Sequence, residues 1–383
     1  MSSVLVNRSG FDTRDHKNTV GSIGRERGRP VSRTRVTLAD VAQAAGVSRT
    51  TASLVLSDRG DELRIAEASQ ERVRRVAAEL GYRPNMLSAS LRSGTSRTIG
   101  FISDTVATTP LAGDMIKGAL EGARHHGYLL FIGESEGNDQ QQERLIEAML
   151  DRQVDGMIFA SMFTRERSLP RSLATKKVVM LNTLPDNEQV PAPAVIPDEY
   201  EAGRQAASLL LEAGHSDIHL IGAGPTRADV PRDTVAGRER LAGILDQLSA
   251  AGISPASGTK RNIWLPSDGW EATAALIARG VRRGAIITFN DRLAFGAYQA
   301  IGEARLSVPD DFSIVSFDDH QLASWLHPGL TTFAIPHREL GRRALDILLS
   351  ENGTDAPVVH RIPLPLRRRG SVLDLTATTS SQG

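Results

Sequence analysis

Thr37-Leu38-Ala39-Asp40-Val41-Ala42-Gln43-Ala44-Ala45-Gly46-Val47-Ser48-Arg49-Thr50-Thr51-Ala52-Ser53 decides how the amino-terminal part of this 383-residue chain folds. Thr37 with Asp40 three residues on is a capping-box start, in which a hydroxyl and a carboxylate satisfy first-turn amides. Val41, Val47, Ala52 and Val55 are small apolar residues at spacings that let two short helices cross closely. Gly46 takes the turn, where a side chain would intrude. The pattern predicts helix, four-residue turn, helix.

Ser48 is placed to cap the second helix, so its first turn presents Arg49, Thr50 and Ser53 outward while Ala52 and Val55 face in. An outward face of this kind suits the major groove of DNA. Arg49 matches guanine acceptors or a phosphate, the hydroxyls of Thr50, Thr51 and Ser53 match phosphate or base edges, and Leu54 matches a thymine methyl. The plainer alternative is an ordinary helical hairpin with a solvated polar face. Beyond it, Glu71 to Leu80 place Val73, Val76, Ala77 and Leu80 on one stripe, which predicts a third helix closing a small core.

Gly81-Tyr82-Arg83-Pro84-Asn85 follows, then Met86 to Gly94. With these residues in place, TLADVAQAAGVSRTTAS followed by GYRPN resembles the lactose-repressor (LacI/GalR) family of bacterial transcription regulators, over about Val36 to Arg369. The resemblance implies a hinge helix in the tether, too short to persist alone in water. It also implies that two such helices, one per subunit, enter the minor groove at the centre of an operator, with Leu91 as the wedge that opens a base step. The expected DNA-contact set is Thr37, Ser48, Arg49, Thr50, Thr51, Ser53, Leu54, Tyr82, Asn85, Ser88 and Leu91. Two departures from the family pattern stand out. The residue that caps the third helix is Ala66 instead of serine, a loss of about 1 kcal/mol unless Ser69 starts the helix. The Arg59 to Leu63 loop is also longer.

Composition agrees with this division. At 40% hydrophobic and 23% charged residues the chain is globular, with enough apolar material for two or three cores, and it has no cysteine, which excludes disulfides and thiolate metal sites. No apolar run reaches membrane length and no signal-peptide core opens the chain, so the expected location is the cytoplasm and no membrane partner is expected. The net charge of zero conceals an asymmetry: residues 1–97 hold 17 Lys/Arg against 10 Asp/Glu, and the other 286 hold 28 against 35. Positive charge gathers beside the helical reader, where phosphates would be neutralised. Residues 1–35 lack periodicity and read as a disordered basic extension. Within them Arg27-Gly28-Arg29-Pro30 resembles the core of an AT-hook, its plainer reading being a solvated tail.

From Thr98 strands and helices alternate, which predicts parallel sheets wound on both faces, and two such runs imply two lobes. Polar residues gather at the strand ends: Asp104 after the first strand, Asp198 after Val195-Ile196, Asn290 after Phe289, Asp318 after Phe317. Arg240 lies on a helix after the 223–233 loop, and Trp270 opens another. Carboxylates, an amide, an arginine and an aromatic ring facing one cleft suit a polyhydroxylated ligand. For Asp198 and Asp291 helix capping is the duller reading, and for Trp270 packing between helices. The family resemblance implies effector-site positions at Asp198, Arg240, Trp270, Asn290 and Asp318, with Asp104 nearby. It also implies that Ile335 replaces a glutamine contact, which leaves the identity of the sugar open.

No enzyme is expected. Gly222-Ala223-Gly224-Pro225-Thr226 lacks the Gly-Lys-Ser/Thr of a phosphate loop, and adjacent His125-His126 does not have metal-ligand spacing, so neither a cofactor nor a metal is expected. The expected architecture is an all-α helix-turn-helix DNA-binding domain (36–83) after the extension (1–35), then a hinge helix and linker (84–97). A two-lobed periplasmic-binding-protein-like α/β core of doubly wound parallel sheets follows (98–369), for effector binding and dimerisation, and then a disordered tail (370–383). The expected function is a repressor binding a palindromic operator as a homodimer, under control of a small sugar-like effector. A free-standing sugar-binding protein, or the same regulator with a nucleoside, purine or phosphorylated effector, are the alternatives.

Overall fold

The structure, a computed structural model, describes residues 36–83, 94–107, 109, 113–186, 190–232, 234–354 and 356–379. The described residues fall into two compact units, one amino-terminal to Asn85 and one carboxyl-terminal to Met86. The basic extension, the AT-hook-like Arg27 to Pro30, the hinge helix and the contact residues Asn85, Ser88 and Leu91 lie outside the described residues.

In the first unit, α1 (Leu38–Ala45), α2 (Arg49–Leu56) and α3 (Glu67–Glu79) surround a core of Val41, Ala52, Val55, Val73 and small alanines. The caps are those the sequence predicts. The Asp40 carboxylate accepts from the Thr37 N–H at 2.8 Å while the Thr37 hydroxyl oxygen accepts from the Asp40 N–H at 3.3 Å. Gly46 ends α1 at φ +64°, in the left-handed region where glycine is favoured. Ser48 accepts from the Thr51 N–H at 3.0 Å.

α3 differs from expectation at both ends. It begins at Glu67 with Ala66 as an N-cap that offers no side-chain hydrogen bond, so Ser69 does not start it, and Leu80 is 40% exposed outside the core. The reason is Gln70, which is buried and donates to Asp61 at 2.8 Å and to the Ile65 carbonyl at 2.9 Å. These bonds fold the long loop onto the first turn of α3, and a Cβ at Gly60 would meet the Gln70 amide at 2.5 Å. The loop is therefore anchored by a residue that periodicity reads as solvent-facing.

The second unit contains two six-stranded sheets. Its elements are β1 (Thr98–Ser103), α4 (Gly113–His125), β2 (Leu129–Glu134), α5 (Asp139–Asp151), β3 (Gly156–Arg167), β4 (Lys177–Pro185), β5 (Ala194–Pro197) and α6 (Glu199–Glu212). They continue as β6 (Ile218–Gly222), α7 (Val235–Ala250), β7 (Ser257–Lys260), α8 (Pro266–Ala278), β8 (Gly284–Thr288), α9 (Asp291–Glu303) and β9 (Phe312–Asp318). Last come α10 (Gln321–Trp325), β10 (Thr331–Ala334), α11 (His337–Leu349), β11 (Val359–Ile362), β12 (Leu366–Arg367) and α12 (Thr376–Thr379).

One sheet has the order β11-β5-β4-β3-β1-β2, all parallel; the other has β12-β10-β9-β8-β6-β7, parallel except for antiparallel β12. The inner strands β1, β6 and β8 are buried on both faces and read as continuous apolar runs, as parallel strands covered by helices must, whereas β2, β7 and β11 at the sheet edges are partly exposed. In each sheet the chain reverses its direction of winding at the first strand, so a crevice opens outside the carboxyl ends of β1 and β3, and of β6 and β8.

The two lobes are not two consecutive runs. The chain crosses after Pro197, returns after Ile335-Pro336 so that α11 packs on α4 in the first lobe, and crosses again through Pro363-Leu364-Pro365. A proline with fixed φ stands at each crossing. Neither end of this unit is where the sequence suggests. Ser96 and Arg97 donate their backbone N–H groups to Asp155 at 2.7 and 2.9 Å, so the linker is already docked there. At the other end, Ser371 is fully buried: its hydroxyl donates to the Ile314 carbonyl at 2.6 Å and accepts from the Thr331 N–H at 2.8 Å. The stretch after Arg369 is polar in order to satisfy strand edges, and its composition alone reads as a tail.

Candidate effector cleft and DNA-reading face

At the reading unit, Arg49 and Thr50 are exposed on the first turn of α2, with Ser53 and Leu54 half-buried on the following turn. The Ser48 and Thr51 hydroxyls lie 2.8 Å apart, so both serve the cap first. Thr37 caps α1, and Tyr82 packs half-buried against the helical core. Of the predicted contact set, then, Arg49, Thr50, Ser53 and Leu54 remain available, and Ser48, Thr51, Thr37 and Tyr82 have structural employment.

In the two-lobed unit a cleft of about 550 Å³ opens between the carboxyl ends of the two sheets. Its centre is Arg240 on α7. The guanidinium is 2% exposed, and its Nε and Nη2 donate to one Glu199 oxygen at 2.9 and 2.6 Å. Nη1 donates to the Phe289 carbonyl, and the planar group lies 4.1 Å above the Phe317 ring, a cation–π contact. Burial holds the Glu199 carboxyl above its ordinary range, with Arg240 pulling against it. The helices that carry the pair cross at van der Waals contact, because a Cβ at Gly203 would meet the Arg240 carbonyl at 2.2 Å and one at Gly243 the Tyr200 carbonyl at 2.0 Å.

Asn290 lines the cleft and caps α9, its side-chain oxygen accepting from the Leu293 N–H at 2.9 Å while its amide donates to the Trp264 carbonyl at 3.1 Å. Asp318 ends β9 at φ +111°, a conformation that a non-glycine residue holds only under constraint. Desolvation pushes its carboxyl up to about 8, against the pull of Arg240. Behind it, buried Asp291 is pushed up to about 7 by the same cause while accepting from the Thr332 hydroxyl and the His320 N–H, both at 2.7 Å.

A sign follows for the pH dependence of stability. A carboxyl at about 8 in the folded chain and 3.8 otherwise keeps its proton only when folded. It therefore contributes stability that is complete below about pH 4 and lost as pH rises towards about 8. Asp318→Asn is expected to melt above the parent at about pH 8 and near it at about pH 4, by calorimetry at both. A gap that stays constant with pH rejects the assignment.

The other predicted cleft residues stand elsewhere. Asp104 is buried at the end of β1 but is spent inside the first lobe, accepting from Arg165 and from the Met162 N–H at 3.0 Å. Asp198 is the N-cap of α6, accepting from the Glu201 N–H at 3.3 Å, and lines a separate surface depression with Arg238 and Arg361. Trp270 is 38% exposed on α8, where its indole N–H donates to Glu303 at 2.9 Å. The tryptophan of the cleft is Trp264, whose N–H is shared between the Gly222 and Arg261 carbonyls at 3.1 Å each; Phe163 lines the cleft as well. Glu199, Trp264, Arg292 and His337 are among the lining residues that sequence reasoning missed. Desolvation pushes the His337 imidazole down to about 4, which leaves it neutral. Ile335 lines the cleft as the sequence implied.

Two ion pairs tie the lobes beside the cleft. Arg361 on β11 holds Glu239 through both terminal nitrogens at 2.7 Å, and Arg238 reaches Glu166 on β3 at 2.9 Å.

A three-helix reader on one unit and a two-lobed ligand cleft on the other define a ligand-responsive DNA-binding protein. Residues 37–85 match the family model for bacterial regulatory proteins of the lacI family, and residues 207–372 match that of a periplasmic binding protein-like domain. The ribose operon repressor of Escherichia coli K12 is 30% identical over 335 residues, which are 86% of this chain and 94% of that protein. The HTH-type transcriptional repressor PurR of Vibrio campbellii is 31% identical over 322 residues, covering 82% of this chain and 91% of that one. Among solved structures, the Lac repressor dimer bound to operator and the anti-inducer ONPF superposes with a TM-score of 0.70 at 25% identity, covering 89% of this chain and all of that one. The chain belongs to the LacI family of bacterial regulatory proteins, and it is a DNA-binding transcriptional regulator.

Proposed function

We propose that the protein represses transcription as a homodimer on a near-palindromic operator, and that a small sugar-like effector seated in the cleft around Arg240, Asn290, Asp318 and Trp264 controls it. The cleft carries this reading: a buried guanidinium, a carboxyl and an indole at the carboxyl ends of two sheets suit hydroxyls and the C–H face of a sugar ring. Two relatives support a sugar by their descriptions, a ribose operon repressor and a transcriptional regulator complexed with cellobiose. Two-fold symmetry of protein and DNA matches half-sites to readers. Arg49, Thr50, Ser53 and Leu54 read bases or phosphates, and the segment 84–93 acts as hinge, with Leu91 as wedge. The protein works by binding alone, in the cytoplasm; among the described residues no helix is long and apolar enough to cross a membrane.

Coupling is reciprocal: an effector that weakens operator binding is itself weakened by operator to the same degree, typically by 1–3 kcal/mol. The test starts from operator sequences selected by the intact chain out of random DNA, followed by retardation with sugars and purines added singly. Inverted half-sites, and a sugar that shifts the midpoint, are expected. Arg49→Ala should reduce affinity by roughly 1–3 kcal/mol if the guanidinium is bidentate to a base. Direct repeats, or a response to purines alone, would overturn the corresponding part of the proposal.

A further inference from the structure

Among the described residues four arginines line the cleft, and three of them are neutralised. Arg240 pairs with Glu199 at 2.6 Å, Arg338 with Glu121, and Arg367 with Asp319 at 3.4 Å. Arg292, in the first turn of α9, makes no ion pair or hydrogen bond among the described residues, and its Nε is buried without a partner. The lining carboxylates are correspondingly spent, Asp114 on Lys117 at 2.6 Å and Glu339 on Arg342 at 2.6 Å. Asp319 is held a second time by Arg369 at 2.7 Å.

Asp318 remains, and it feels the positive field of both Arg240 and Arg292 without an ion pair to either among the described residues. Desolvation keeps most of it in the acid form near neutral pH, so it does not discharge Arg292. His337 is neutral there as well. The cleft thus displays a guanidinium with unused donors beside an uncharged carboxyl. A buried donor without an acceptor is costly, and an arginine fork is shaped for two oxygens of one anionic group. The start of α9 adds its own preference for negative charge at that end.

We propose that the effector bears an anionic oxygen group, a carboxylate or a phosphate, and that Arg292 is the residue that binds it. The proposal rests on the reading of this cleft as the effector site and adds the ligand's charge class. Arg292 distinguishes a sugar acid or sugar phosphate from its neutral parent, whose hydroxyls would leave the fork incompletely paired.

The intact protein is titrated calorimetrically with glucose, glucuronate and glucose 6-phosphate, and with ribose, ribonate and ribose 5-phosphate. At least one anionic member is expected to bind about tenfold or more tightly than its neutral parent, a gap typical of a paired against an unpaired charged donor. Which acid binds separates carboxylate from phosphate. In Arg292→Gln that preference should vanish while affinity for the neutral parent stays within about twofold, and Arg292→Lys should retain part of it. Equal affinity for neutral and anionic members, or an equal loss of both in Arg292→Gln, overturns the proposal and leaves the cleft standing as the effector site. Binding by none of the six overturns the proposal together with the reading of the cleft as a sugar site. Thermal melting of both variants, expected near that of the parent, excludes misfolding as the cause.

Discussion

Glu199→Gln is expected to destabilise the two-lobed unit by about 3–5 kcal/mol, the range for removing one partner of a buried ion pair. Glu199 and Arg240 are 1% and 2% exposed, so the orphaned guanidinium would be shielded from water, and the carboxyl that feels its field, Asp318, is mostly in the acid form near neutral pH. Relaxation is blocked because α6 and α7 touch through Gly203 and Gly243, which leaves no room for the arginine to withdraw between them. Arg240 is also pinned by the Phe289 carbonyl and the Phe317 ring, so the charge would stay where it is. Replacing both partners by apolar residues, Glu199→Leu with Arg240→Met, should recover most of the loss, because the cost of burying two ions disappears with their attraction. Urea unfolding of the three variants measures this. A loss under about 1 kcal/mol for Glu199→Gln would mean that water reaches the pair.

The reader was almost wholly legible in the sequence because its determinants are local. Thr37, Gly46 and Ser48 act within a turn of themselves, and the apolar positions of α1 and α2 lie one or two turns apart. Gln70 escaped for the opposite reason: its amide is buried by a loop, and no periodicity announces a partner nine residues back. In the larger unit the alternation of strands and helices was legible, but the return of α11 and β11 to the first lobe was not, because which sheet receives a strand depends on long-range pairing. Val359 to Ile362 pairs with Ala194 to Pro197, some 165 residues earlier, and carries only a weak strand pattern of its own. Asn290 and Asp318 line the cleft because they stand at strand ends, which point to crevices, while Arg240, on a helix, was legible only through the family resemblance. Asp198 was placed one residue short: the cap takes the first carboxylate after the strand, and the next one, Glu199, turns inward to meet Arg240.

Trp264→Ala should abolish effector binding and destabilise the fold by about 3–5 kcal/mol, whereas Trp270→Ala should do neither. The two indoles are six positions apart, and helix boundaries explain why only one faces the cleft. Pro266 occupies the first helical position of α8, which its fixed φ and missing N–H favour, and Asp268 accepts from the Leu265 N–H at 3.0 Å to close the first turn. Trp264 therefore belongs to the loop leaving β7, at the carboxyl edge of the sheet, and Trp270 to the second turn of the helix, away from that edge. Trp264 packs on Phe289 with ring centroids 5.6 Å apart and tethers two carbonyls through one N–H, so its removal opens a cavity and frees two acceptors. Trp270, 38% exposed, has among the described residues one side-chain hydrogen bond, to exposed Glu303, to lose. Fluorescence of each single-tryptophan change during titration with a binding sugar supplies a second readout: quenching or enhancement should persist without Trp270 and disappear without Trp264. Persistence of the signal in Trp264→Phe, a variant that keeps the packing, would move the ring-binding wall elsewhere in the cleft and restore Trp270 as its candidate.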